Sequence, residues 1–280
     1  MGNDGTEEEP MPEQVEFELM RPPQIVAALE RCPIVYLPIG PLEWHGPHLP
    51  MGTDGIHAHR IAVEVARRAG GVVLPPFFLG TDTVRPPDGP QGVRPLGFEG
   101  HERIIGMDLP VNTVKSLYIE EGVFAVAVRE IIRLLKLDPY RLIVIVNGHG
   151  APNHVRTLRR LAAEESDPPR LRIVYETASS SVVPPLDPGH AERGETAVLM
   201  SVLPDCVDVD ALPPKETPLR YRDYGIVNGA AFDGRPTPDF AVPRGSDPRY
   251  ATREEGAAMI TREIERLVLQ VRKYLAESIV

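Results

Sequence analysis

The chain has 280 residues with 40 acidic against 30 basic side chains, a formal charge of −10, 42% apolar residues and a mean hydropathy of −0.16. That length holds one large domain or two small ones, and the composition is that of a folded, water-soluble chain. The acidic balance argues against a nucleic-acid partner, no apolar run approaches the roughly 18–20 residues of a bilayer span, and the start of the chain is too acidic for a secretory leader.

Residues 1–13 read as a disordered leader, followed by one domain over 14–280. Cys32 and Cys206 are too few for a disulfide framework and lack metal-type spacing, so the expected location is the cytoplasm. Ile34 to Ile39 is an apolar run closed by Gly40, the pattern of a buried strand. Helical spacing follows Asp54, with Ile61, Val65 and Ala69 on one side and Arg60, Glu64, Arg67 and Arg68 on the other. Gly70-Gly71 ends it, and Val72-Val73-Leu74 starts another strand. Residues 77–112 are rich in Pro and Gly with little periodicity, a loop long enough to be a lid, a binding loop or a subunit contact.

The spacing of Leu117, Phe124, Val128, Ile131 and Leu135 predicts a helix over 113–136. Arg141 to Val146 is the continuous apolar strand of a sheet covered on both faces, and it ends in Asn147-Gly148-His149-Gly150. A helix from near Asn153 then carries His154 on its surface. Leu171 to Tyr175 reads as a strand, Ala197 to Leu203 as a helix and 212–248 as loop. The last helix opens with a capping box, Thr252-Arg253-Glu254-Glu255, and offers Ile260, Ile264, Leu267, Val271 and Leu275 to the core. The alternation predicts an α/β fold, a single three-layer domain whose mostly parallel sheet is flanked by helices.

The densest chemical signal is the segment Glu43-Trp44-His45-Gly46-Pro47-His48 running on to Asp54. His45, His48, His57 and His59 put four of the chain's eight histidines in one short window directly after a strand, where open α/β sheets place their ligands. Glu43 and His45 are two apart, so an extended segment points both the same way. With Asp54 they form an N/O donor set suited to Zn²⁺, Mn²⁺ or Fe²⁺. Each also has a plainer reading: Asp54 as a helix N-cap, and Glu43 with His45 as a surface hydrogen-bonded pair. His57 and His59 point in different directions, so at most one faces the site. Trp44 reads as packing. His149 enters the same crevice if its strand neighbours the first, and is otherwise an incidental residue of a tight turn. His190 and Glu195 sit at a loop-to-helix junction, where Glu195 also suits the helix dipole.

Taken in order, these segments resemble the creatininase (creatinine amidohydrolase) family. Its pattern is Glu-x-His-Gly-x-His with an Asp eleven residues after the Glu, then Asn-Gly-His-Gly, then His-Ala-Gly-Glu-x-Glu-Thr. Glu43, His45 and Asp54 match the first motif, His149 the second, and His190 and Glu195 the third, over about residues 33–275. The resemblance implies two divalent metal ions (Zn, Mn or Fe). Glu43 and His149 would hold one, His45 the other, and Asp54 would bridge them. Creatininase completes the second metal with a Glu two residues after the motif histidine. Here that position is Ala151, and the resemblance to members that also lack it points to Glu195. Glu192 is displaced by one place from the family's first Glu there and receives no ligand role.

Metal-activated water would then hydrolyse a C–N bond of a small amide, lactam or formamide, with His190 as general acid/base. Two departures argue against creatinine itself: the missing Glu at Ala151, and a substrate loop without tryptophan, since Trp44 is the chain's single one. The stretch Met107 to Thr113 also replaces the family's Phe-Pro-Gly-Thr. The alternatives are a ring-opening C–C hydrolase of a cyclic ketone of the inosose type, a peptidase trimming a cofactor precursor, and a non-catalytic metal-stabilised scaffold. Glu99, His101 and Arg103 would either read a polar substrate or form a solvated lid face, and Arg85, Arg94 or Arg103 would serve a carboxylate or polyol. The expected partners are a small-molecule substrate and further copies of the chain, a hexamer by family resemblance.

Overall fold

Strands built of Ile, Val and Leu have no face to give to water, and here such strands hold the middle of the sheet. The computed structural model describes residues 14–88, 92–94, 98, 103–109, 112–178, 190–217, 219–222, 225–227, 242 and 244–279. Its main sheet comprises β1 (Ile34–Ile39), β2 (Val72–Val73), β3 (Leu142–Asn147) and β4 (Arg172–Thr177). All pairings are parallel, in the order β2-β1-β3-β4, and every residue of β1 and β3 is buried.

Side chains alternate across this sheet into two cores. Ile34 and Tyr36 of β1, with Leu142, Val144 and Val146 of β3, pack against α2 (Thr53–Ala69), α5 (Arg193–Val202) and α6 (Arg253–Ile279). Val35, Leu37, Ile39, Ile143 and Ile145 pack on the other face against α1 (Pro22–Arg31), α3 (Glu121–Leu135) and α4 (Pro152–Glu165). The result is the three-layer α/β arrangement that the alternation predicts. Within 212–248, read as loop, a short antiparallel ribbon pairs β5 (Arg220–Arg222) with β6 (Gly225–Val227). Among the described residues no helix is long and apolar enough to cross a membrane.

Two expectations need correction. The helix predicted over 113–136 begins only at Glu121. The residues before it form neither helix nor strand and are tied to other loops: the Leu117 N–H donates to the Leu42 carbonyl (2.8 Å), and the Ile119 N–H to the Gly80 carbonyl (2.9 Å). Leu117 is accordingly 60% exposed, and the buried stripe of α3 starts at Phe124. His154, expected on the surface, is fully buried. Its Nε2 bonds Asn147 Oδ1 (2.9 Å), the Thr81 N–H approaches its Nδ1 (3.4 Å), and its ring stacks on Phe124 with centroids 4.5 Å apart. The capping box of α6 forms as predicted, with reciprocal 3.2 Å bonds between Thr252 and Glu255. The leader, Glu99 and His101 lie outside the described residues.

Helices α5 and α6 meet backbone to backbone at Gly256, where a Cβ would fall 1.8 Å from the Ala197 carbonyl oxygen. Gly256→Ala therefore has to separate the helices, and its expected cost in urea denaturation is on the order of 3 kcal/mol. Gly122, in the first turn of α3, has nothing within 4 Å of such a Cβ. Gly122→Ala is expected to stabilise by about 0.4–1 kcal/mol.

Candidate metal centre

Parallel pairing in register sets where the site falls. Ile39 is opposite Asn147, so β1 and β3 end at one level, and the Gly148 N–H closes onto the Ile39 carbonyl (3.0 Å). The segment after β1 carries Glu43 and His45, the turn after β3 carries His149, and the first turn of α2 carries Asp54. All four are buried, with exposures of 4% or less.

Asp54 lies between the two histidines. Its Oδ1 is 3.2 Å from His45 Nε2 and its Oδ2 is 3.1 Å from His149 Nδ1. It is not an N-cap, because α2 begins without a side-chain cap bond. Glu43 Oε2 also lies 3.1 Å from His149 Nδ1. Glu195, reaching in from α5, comes within 3.9 Å of His45 Nε2 and accepts the Ala191 N–H (2.6 Å). His190 packs against His45 with tilted rings and centroids 4.1 Å apart, sends Nε2 to the Trp44 carbonyl, and keeps Nδ1 3.9 Å from Glu43 Oε2. The six residues singled out from sequence are thus brought together.

The donors fall into groups able to hold a cation: Glu43, Asp82 and His149; His45, Asp54 and Glu195; and Glu43, His45 and His190. One atom indicates that the cluster suits a metal. Asp54 Oδ2 is buried without a hydrogen-bond partner among the described residues. The 3.1 Å approach of Oδ2 to His149 Nδ1 lacks hydrogen-bond alignment, as expected of two donors aimed at a common third point. His45 Nδ1 meets the Glu43 carbonyl (3.0 Å), which leaves Nε2 as its site-facing atom.

The electrostatics separate these groups. Burial works against the charged form of His45, yet Asp54, Glu195 and Glu43 raise it to about 10. His149 also rises well above the usual histidine range, against burial, because of Glu43 and Asp54. Asp54, despite burial, is held well below the usual carboxylate range by His45 and His149. Burial pushes Glu195 up to about 8, and burial with the nearby His45 pushes His190 down to about 4.

Among known proteins, the profile of the family described as creatinine amidohydrolase matches residues 18–87 and 106–271. The chain belongs to the creatininase family. It is 31% identical over 222 residues to the mycofactocin precursor peptide peptidase of Mycolicibacterium smegmatis, covering 73% of this chain and 75% of that one. It is 23% identical over 257 residues to the creatinine amidohydrolase of Pseudomonas putida, covering 86% and 89%. A shorter match, 36% over 69 residues, links it to the 3-dehydro-scyllo-inosose hydrolase of Thermotoga maritima, and spans 25% of this chain and 22% of that protein's length. The solved putative creatinine amidohydrolase of Bacteroides fragilis shares the fold with a TM-score of 0.65, at 22% identity over 95% of this chain and 98% of its own. Other solved creatininases include Mn and Zn–Zn forms.

In this creatininase-family hydrolase, Glu192 caps α5 by accepting the Glu195 N–H (3.1 Å). Arg94 and Arg103 are exposed and face Asp88 and Glu120, while Arg85 is buried against the Gly106 carbonyl. His57 is buried outside the candidate groups, and His59 lies 3.9 Å from Glu16. Sequence reasoning missed Asp82, whose Oδ2 is 3.8 Å from His149 Nε2, and Tyr118, whose hydroxyl donates to Glu43 Oε1. The signal for Asp82 was a carboxylate shortly after β2, next to β1. Tyr118 was hidden by the helical spacing around it.

Without metal, the raised His45 contributes stability that is complete below its ordinary value of 6.5 and lost as pH rises through about 10. Glu195, raised from 4.5 to about 8, acts in the same direction. The melting temperature of chelator-treated protein should therefore fall between about pH 6.5 and 10 by circular dichroism. Saturating Zn²⁺, which takes the place of those protons, should remove the fall. A flat or rising profile in chelator would contradict this assignment.

Proposed function

We propose that this hydrolase is a binuclear divalent-metal enzyme that cleaves a C–N bond of a small amide, lactam or formamide other than creatinine. The observation that carries the reading is the position of Asp54, with one carboxylate oxygen toward each histidine at 3.2 and 3.1 Å. Glu43 and His149 would hold one ion, His45 and Glu195 the other, and Asp54 both. Zn²⁺, Mn²⁺ and Fe²⁺ suit these ligands. When bound, such a pair supplies an acidified water and an electrophile for the substrate carbonyl.

The proton work falls to His190. The Trp44 carbonyl can only accept, so Nε2 carries the hydrogen and Nδ1 is the basic atom. Burial keeps the ring neutral near pH 7, so that Nδ1 can take a proton from the attacking water and return it to the departing nitrogen. Both relatives matched over most of their length bear the names of amide-cleaving enzymes, a peptidase and an amidohydrolase, which supports C–N cleavage. The short inosose hydrolase match favours a second reading, ring opening of a cyclic ketone at C–C. A non-catalytic scaffold is the weaker account, because every proposed ligand position keeps a donor side chain. The same reading makes residues 14–280 one catalytic domain of a cytoplasmic homo-oligomer, a hexamer on the family resemblance.

Elemental analysis of protein purified without chelator should find about two transition-metal ions per chain. Glu43→Ala, His149→Ala and Glu195→Ala should each lose part of that content. His190→Gln should keep both ions while losing about 10²–10⁴ of its rate on whichever amide or formamide a substrate screen identifies. Wild type that takes up no Zn²⁺, Mn²⁺ or Fe²⁺ would overturn the reading. Loss of an ion from His190→Gln would make His190 a ligand instead of a proton carrier.

A further inference from the structure

The segment before α3, which forms neither helix nor strand, reaches the candidate metal centre through one side chain, Tyr118. Resting on the binuclear reading above, we propose that Tyr118 is a positioning residue that fixes Glu43 as a ligand through a single oxygen, Oε2. The two oxygens of Glu43 have different surroundings. Oε2 faces the imidazoles, 3.1 Å from His149 Nδ1, 3.9 Å from His190 Nδ1 and 4.0 Å from His45 Nε2. Oε1 accepts the Tyr118 hydroxyl.

The direction of that bond is set from behind. The Met107 N–H donates to the Tyr118 oxygen (3.2 Å), so the lone phenolic hydrogen is left for Glu43. Tyr118 is itself clamped on both sides. The Leu117 N–H is bonded to the Leu42 carbonyl, the Ile119 N–H to the Gly80 carbonyl, and the Ser116 hydroxyl accepts the Trp44 N–H (3.0 Å). These anchors lie on the loops after β1 and β2, so the tyrosine is held to the same framework that carries Glu43. Gly106 completes the cradle: its φ is +51°, and a Cβ there would fall 2.8 Å from the Tyr118 oxygen and 2.3 Å from Asp82 Oδ2. Only a residue without a side chain lets this loop close on both groups.

A carboxylate ligand whose outer oxygen accepts a bond from a fixed donor is held against swinging to chelate with both oxygens. Without the hydroxyl, Oε1 is buried without a donor, and Glu43 turns either toward the ion or away from it. Tyr118 acts through Glu43 and touches no reacting atom, so its removal should show first in metal binding.

The test compares wild type, Tyr118→Phe and, as a control at an exposed neighbour, Leu117→Ala. Zn²⁺ affinity is measured by chelator competition, the Co²⁺ visible spectrum is recorded, and the melting temperature of the metal-free protein is followed. Tyr118→Phe should still bind two ions, with one site weakened about 10–100-fold and the other unchanged. Its Co²⁺ bands should shift, and the metal-free melting temperature should fall below that of the control because the buried Oε1 loses its donor; the one-site weakening together with the shifted bands is what a packing role alone would not produce. Should Tyr118→Phe not fold, Tyr118→3-fluorotyrosine, which keeps the ring and changes only the donor strength of the hydroxyl, should shift the Co²⁺ bands and alter the affinity of one site alone. Affinity and spectrum equal to wild type, or equal weakening of both sites, would overturn the positioning role. Wild type that binds none of these ions would overturn the metal centre itself, and this inference with it.

Discussion

A buried carboxylate wedged between two strand ends is the constraint on which the rest of the site depends. Asp54 begins α2 where β1 and β3 finish together, and its neighbours must give it room. A Cβ on Gly40 would stand 2.6 Å from Asp54 Cβ, and one on Gly148 would stand 2.1 Å from its carbonyl oxygen. The two glycines let the helix start press into the end of the sheet. Its carboxylate then meets a histidine from each strand loop. A charge at 3% exposure is costly unless it is paired, and here each oxygen has a histidine beside it.

Around that carboxylate the site collects more acid than its imidazoles can neutralise. Glu43 and Asp54 are held below their ordinary values by the histidines, whereas burial raises Asp82 and Glu195. Protons balance this set in the metal-free protein, and divalent cations would balance it with fewer particles and firmer geometry. The second layer is equally ordered. Asn147 accepts the His149 N–H (3.1 Å), and His154 holds the same Asn147 oxygen from α4. His149 is thus fixed through its backbone as well as its ring, which is what a ligand needs to keep its aim.

The parts legible in sequence were those with a local signature. The continuous apolar runs of β1 and β3, the period of α2 and the capping box of α6 each follow from residues close together in the chain. Glu43, His45 and Asp54 were visible as a cluster, and His149, His190 and Glu195 through their motifs, which the parallel register then brings to one crevice. Asp82, Tyr118 and His154 were hidden because their meaning depends on distant partners. His154 faces Thr81, 73 positions away, so nothing in its own helix marks it as buried. Tyr118 sits where Leu117 and Phe124 mimic a helical stripe, and bonds to distant residues such as Leu42 and Gly80 hold the segment out of the helix.

The central claim is that Asp54 spans two metal ions, and anomalous scattering from crystals grown with Zn²⁺ tests it most directly. The account predicts two peaks: one within bonding distance of Glu43 and His149, the other of His45 and Glu195, with an Asp54 oxygen on each. A single peak, or peaks that leave Asp54 without a metal contact, would contradict it.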